Sequence, residues 1–411
     1  MPTQSTHPER LSRRQPELSE RLNTPISTDE LERRWTNVRA AMEADGIDVL
    51  VLQNNSDSCG GYVRWFTDMP ASYYPTTVVF PRESPMSVVA HGPLGEVREL
   101  ESQTDGVWRG VERVFSTASF PSAPYTREYD AEFALTALEP FAGATVGLVG
   151  TAQMSFAFGE RLRRGLPGAQ LIESSELVDR IKAIKSEEEQ ALIRATAAMQ
   201  DEVMKAALDA VEPGKKESDI AAVARRRAQE LGSEAGIYMA GSAPVGTPAP
   251  TRPRHFQNRT LRRGDVFALL VEIDGPGGMY TELGRMCTLG PVPKRLHEEL
   301  EFALEAQRFT LERLRPGAAA AEIFAEYNEF LQANSRPPER RVHCHGQGYD
   351  LVERPFVRFD ETMTIEAGIN MACHPKYVRD GIFAWICDNY LIGPDGPGPR
   401  LHSFPQAIVE R

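Results

Sequence analysis

Short apolar runs and longer mixed stretches alternate through the first half of this chain. Residues 28–45 open with Thr28, Asp29 and Glu30, a capping residue followed by an acidic first turn, and Gly46 closes the predicted helix. Residues 47–52, 76–80, 86–90, 144–149 and 170–172 are rich in Val, Ile, Leu and Phe and predict strands. Helical patterns lie between them, at 131–138 and 155–164. Strand and helix in alternation predict an α/β domain over 28–178, preceded by a polar arm at 1–27.

The rhythm changes near residue 179. Ser186 followed by Glu189 is a capping box, and Glu187, Glu188 and Glu189 favour the positive end of a helix running to about residue 208. A repeat then emerges. Residues 211–220 pass through Pro213 and Gly214 into a helix ending near Gly232, and residues 314–323 pass through Pro316 and Gly317 into one ending near Asn334. Two copies about a hundred residues apart predict two similar halves facing each other over 179–411.

Composition narrows the class. The chain has 411 residues, 41% hydrophobic and 25% charged, as in globular proteins large enough for two domains. A net charge of −12 argues against nucleic acid or an anionic membrane as partner. Five cysteines, odd in number and scattered, suggest a reducing cytoplasm rather than a disulfide framework. No apolar run reaches membrane-spanning length.

The candidate chemistry lies in the second half. Glu272 and Glu282 sit ten residues apart around a Gly-rich strand, His345 follows in a Gly-rich stretch, and Glu366 and the Cys387–Asp388 pair come later. Carboxylates with one imidazole suit a divalent ion. Strand alternation puts Leu270 and Glu272 on one face. Asp274 precedes Gly275 and Pro276, where an aspartate usually makes a turn.

The segment 179–190, the Gly264–Asp265 turn, residues 280–285, residues 345–348 and residues 364–368 resemble, in order, the superfamily of creatinase, prolidase, aminopeptidase P and methionine aminopeptidase. The resemblance covers about residues 28–411. It implies an α/β creatinase/prolidase-like N-terminal domain and an α+β pita-bread catalytic domain at 179–411, with the site between its halves. Metal-dependent members use two aspartates, a histidine and two glutamates. By the resemblance these fall at Leu270, Glu282, His345, Glu366 and Cys387, and a second family histidine falls at Val352. Leu270 cannot ligate, so Glu272 is the substitute, and Asp388 stands beside Cys387. Candidate ligands are therefore Glu272, Glu282, His345, Glu366 and Asp388, for no metal or one ion of Mn, Zn, Fe or Co.

The expected reaction is creatinase-like hydrolysis of an amide-type C–N bond in a small carboxylate-bearing substrate, in a cytoplasmic homodimer. Catalytic candidates are His345, Glu366, Glu282, His255 and Asp388, with Glu366 and Glu282 activating water and His345 moving the proton. Arg64, Tyr280 and Arg354 are candidates for the substrate, Arg64 by reaching the neighbouring subunit's site. Three alternatives stay open: a metal-dependent Xaa-Pro peptidase, a lyase resembling the dimethylsulfoniopropionate lyase of this superfamily, and a non-catalytic binding module.

Overall fold

The computed structural model describes residues 20, 22–54, 61–70, 73–101 and 105–411. Most of the predicted arm, and Cys59, fall outside the described residues.

The first half contains α1 (Thr28–Ala44), β1 (Val49–Asn54), α2 (Gly61–Thr67), β2 (Thr76–Pro81), β3 (Met86–His91), β4 (Val97–Glu99), β5 (Val111–Thr117), α3 (Arg127–Leu138), β6 (Thr145–Val149), α4 (Phe156–Gly165), β7 (Gln170–Glu173) and α5 (Ser175–Ala183). Its strands form one sheet in the order β4-β5-β3-β2-β1-β6-β7. Every residue of β1 is buried, because helices cover both faces of the sheet. Leu50 and Leu52 pack with α1 and α2, while Val49 and Val51 pack with α3 and α4.

The second half contains α6 (Glu187–Asp209), α7 (Glu217–Glu230), β8 (Gly236–Pro244), β9 (Asp265–Asp274), β10 (Tyr280–Thr288), α8 (Lys294–Leu311), α9 (Ala320–Ala333), β11 (Cys344–Gly346), β12 (Glu353–Phe356), β13 (Asn370–Cys373), β14 (Lys376–Arg379), β15 (Ile382–Trp385), β16 (Asp388–Gly393), β17 (Gly396–Arg400) and β18 (Val409–Glu410). The sheets run β18-β10-β9-β8 and β12-β11-β13-β16-β17, with β14-β15 as a separate hairpin. The repeat is visible in the hydrogen bonds. Gly214 N–H donates to Leu261 O at 2.9 Å and Gly317 N–H to Ile365 O at 2.8 Å. Both glycines have positive φ, +96° and +88°, which a Cβ would strain. Lys216–Thr260 and Ala319–Thr364 form matching isolated bridges. The two halves join where Gly284 bridges Cys387.

The segment 179–190 links the two regions, and its charges explain its sequence. Lys182 Nζ donates to Asp350 at 2.9 Å and Glu353 at 2.5 Å, and Lys185 Nζ to Glu353 at 2.7 Å. Burial opposes ionisation of Glu353, yet the two lysines hold its carboxyl down at about 2. The Ser186–Glu189 capping box forms, and Glu189 also accepts from the fully buried Arg34 of α1 at 2.8 Å. Stripping either lysine would leave a buried carboxylate short of a partner.

Candidate active site

β9 and β10 are antiparallel neighbours, and their register sets Glu272 directly opposite Glu282. Alternation turns both side chains away from the helices, since Val271, Ile273 and Leu283 pack against α6 and α7. The Glu282 N–H donates to Asn389 Oδ1 at 2.7 Å, fixing the strand across the seam. His345 comes from β11, opposite Ala372 of β13, and His374 follows the end of β13. Glu272, Glu282 and His345 are each at most 6% exposed, and His374 is half-buried, so the cluster opens on the His374 side.

Glu282 Oε2 lies 3.6 Å from His345 Nε2. His345 Nδ1 lies 2.9 Å from Gly346 O, so Nδ1 carries a hydrogen and Nε2 is the ring nitrogen that faces the carboxylate. A ring nitrogen and a carboxylate oxygen facing each other in a buried site share a cation, a proton or a metal ion. The His345 and His374 ring centroids are 5.1 Å apart. Ligand atoms of Glu282, His345 and His374 all lie within 4.8 Å of one another, a possible three-residue metal site.

Electrostatics separates the two glutamates. Burial, then the Glu282 charge, pushes the Glu272 carboxyl well above its usual range, so it is the neutral member. Burial also opposes ionisation of Glu282, but His374 and His345 hold it at about 2. Burial drives His374 down to about 4, so the imidazole is neutral near pH 7. An amide chain supports the pair. Gln347 Nε2 donates to Glu272 at 3.0 Å, and Asn389 Nδ2 donates to Gln347 Oε1 at 2.9 Å. Cys387 Sγ sits 3.5 Å from Glu282 O, and burial raises its thiol well above the ordinary value.

Several sequence candidates stand elsewhere. Glu366 was expected as a ligand and water-activating group. It occupies an exposed turn completed by Gly368 at φ +93°, where it accepts from Thr364 Oγ1 at 2.8 Å. Asp388 points to the opposite face from Cys387, as strand alternation requires, and Arg285 Nη2 donates to it at 2.6 Å. His255 is exposed on a short turn against Phe256. Arg64 lies on α2 and pairs at 2.7 Å with Glu234 of its own chain, so its charge is already matched within the subunit. Arg354 is engaged by Glu361 and Thr362. Tyr280 is buried on β10, two residues from Glu282, and its N–H donates to Gly348 O at 2.7 Å. Asp274 accepts from the N–H groups of Glu234 and Ala235 at 2.9 and 2.7 Å, a turn role.

His374, Gln347 and Asn389 were not singled out from sequence. The available signal was position. Residues 369–373 are all buried and 370–373 form β13, so a side chain reaching the seam comes at its far end, at 374, rather than before it at 366.

Residues 191–394 match the model of metallopeptidase family M24, and residues 34–184 match the creatinase/prolidase N-terminal domain. The chain belongs to the creatinase/prolidase family. As a family member it is 27% identical over 242 residues to a probable dipeptidase PepE of Mycobacterium tuberculosis, covering 57% of this chain and 63% of that protein. It thus aligns with under two thirds of that relative's length. A creatinase of a Bacillus species is 24% identical over 389 residues, covering 87% of this chain and 85% of the relative. The crystal structure of dipeptidase PepE from Mycobacterium ulcerans superposes with a TM-score of 0.74 at 19% identity, over 94% of this chain and 99% of that one. The two-domain pita-bread architecture is therefore that of the family. No helix among the described residues is long and apolar enough to cross a membrane.

Proposed function

We propose that the protein hydrolyses an amide-type C–N bond in a small carboxylate-bearing substrate, using at most one divalent ion. The observation that carries this reading is the Glu282–His345–His374 cluster, with its 3.6 Å carboxylate–imidazole approach. The donor set does not fit two ions. Leu270 packs in the apolar core, and Cys387, its thiol held protonated by burial, stands beside Glu282. Two imidazoles and one carboxylate do fit a single Zn, Fe, Mn or Co ion. Such an ion, when bound, supplies a water of lowered pKa and polarises the carbonyl.

The chain's own groups form an acid and a base pushed apart by their surroundings. Glu272, neutral, holds a proton for the leaving nitrogen. With no ion held, Glu282 is the carboxylate that takes the proton of the attacking water; with one bound, Glu282, His345 and His374 would hold it, His345 being oriented by Gly346. With Arg64 and Arg354 engaged elsewhere, Lys376, exposed at the start of β14 two residues after His374, is the cation assigned to the substrate carboxylate. Metal analysis of protein purified without added metal, followed by a screen of Xaa-Pro dipeptides, creatine-like amidines and N-acyl amino acids, tests the reading. Release of an amine with no more than one ion per chain is expected. Two ions per chain, or an alkene product, would overturn it.

The relatives named as dipeptidases favour a second reading, a metal-dependent dipeptidase. In that case the Xaa-Pro dipeptides are cleaved and chelation abolishes the activity.

A further inference from the structure

A cavity of about 230 Å³ lies on the other face of β8 and β9, away from the glutamates. Tyr238 of β8 pairs with Val271 and so faces α7 with it, whereas Ile237 pairs with Glu272. Arg225 and Arg226 of α7 and Arg254 of the following loop line this cavity, together with Tyr238, Ser218 and Gln257, and no acidic side chain does. That is notable charge segregation in a chain of net charge −12. Arg226 has Glu230 at 3.6 Å. Arg225 and Arg254 are in no ion pair among the described residues. The Arg225 guanidinium lies 4.9 Å from the Tyr238 ring centroid, a cation–π contact that pre-orients it.

Gln257 adds the second observation. It is 1% exposed, and its Nε2 donates to Tyr238 O at 2.9 Å and Arg252 O at 2.7 Å. Both amide hydrogens are thereby used and the amide orientation is fixed. Its Oε1 is buried with no partner. A buried unpaired acceptor is costly, and it calls for a donor. Guanidiniums ask for an anion, whereas the amide oxygen asks for a hydroxyl or N–H.

We propose that this cavity binds a small anion carrying its own hydroxyl proton, either a phosphate or a hydroxycarboxylate. The volume falls below the roughly 300–1,000 Å³ of drug-sized pockets, which restricts the ligand to a few heavy atoms. The inference is independent of the amide-hydrolase reading, because none of its residues belongs to the glutamate–histidine cluster.

Two matched pairs of probes test it by isothermal titration at pH 7 and low ionic strength. Inorganic phosphate carries a hydroxyl proton and sulfate does not. Malate carries a hydroxyl and succinate does not. Phosphate or malate should bind saturably and at least tenfold tighter than its counterpart, and whichever pair shows this names the source of the anion. The R225Q/R254Q double variant, with circular dichroism unchanged, should lose at least tenfold of that affinity. The proposal is overturned if neither phosphate nor malate binds, if sulfate and succinate bind equally well, or if the double variant binds as tightly as the parent.

Discussion

Replacing Asp388 separates a catalytic from a structural role. The side chain is fully buried beside Arg285, which is also 0% exposed. Arg285 donates to Asp388 Oδ1 at 2.6 Å and to the carbonyls of Gly284, Cys387, Phe404 and Pro405 at 2.7 to 3.0 Å. Gln406 donates to the other Asp388 oxygen at 2.8 Å. Asp388→Ala leaves the guanidinium buried with carbonyl dipoles alone. Breaking a buried pair from one side costs about 3–5 kcal/mol. Asp388→Asn keeps the shape and loses the charge, so the loss should be smaller, about 1.5–3 kcal/mol, the worth of a hydrogen bond to a charged group. The Asp388→Leu/Arg285→Met double variant removes both charges and should recover part of the Asp388→Ala loss. Urea unfolding followed by tryptophan fluorescence measures all three. If Asp388→Ala costs under about 1 kcal/mol while abolishing metal binding or turnover, the structural assignment is wrong and Asp388 belongs to the site.

Three further outcomes follow from the same geometry. His374→Ala should abolish stoichiometric Zn or Mn binding, whereas Glu366→Gln should leave it unchanged; equal loss in both variants would restore Glu366 to the site. Burial lowers His402 from 6.5 to about 4, so the unfolded chain binds the extra proton between those pH values. The His402 contribution to stability is full above about pH 6.5 and falls by up to roughly 3 kcal/mol toward pH 4, a part of the slope that His402→Gln should remove in urea titrations at stepped pH. We propose that the chain sediments as a homodimer at micromolar concentration and that Arg64→Ala leaves this unchanged, because Arg64 is paired within its own chain; monomeric sedimentation of the parent would refute it.

The elements easiest to read were those whose local chemistry and packing agree. Ser186 and Glu189 announce α6 by a capping box that forms as written. The Pro-Gly turns of the repeat announce α7 and α9, because each glycine adopts a conformation other residues avoid. α2 was harder. Tyr62, Val63, Trp65 and Phe66 have strand-like composition, yet the segment is helical. Its N–H groups are met by side chains from elsewhere, Asn54 for Val63 and Asp350 for Gly61. Those partners lie 9 and 289 residues away, beyond any local window. β4 carries no signal at all, since Val97, Arg98 and Glu99 are all exposed and no apolar alternation marks them.

The site divides along the same line. Glu272 and Glu282 could be placed together because a two-stranded ribbon with a Gly-rich turn fixes its own register, and the structure sets them opposite each other. His345 was legible from the glycines around it. Glu366 was not, because an acid between apolar residues reads as a buried ligand unless the turn after it is recognised. Gly368 makes that turn, and β13 then carries the chain to His374. The arginines show a different limit. A sequence shows a charge but not what neutralises it, and Arg64 and Arg354 spend theirs on Glu234 and Glu361. The proposed reading rests on the replacement of carboxylates by imidazole and thiol around Glu282. That replacement becomes visible only when the strand ends, rather than the sequence spacing, define which side chains meet.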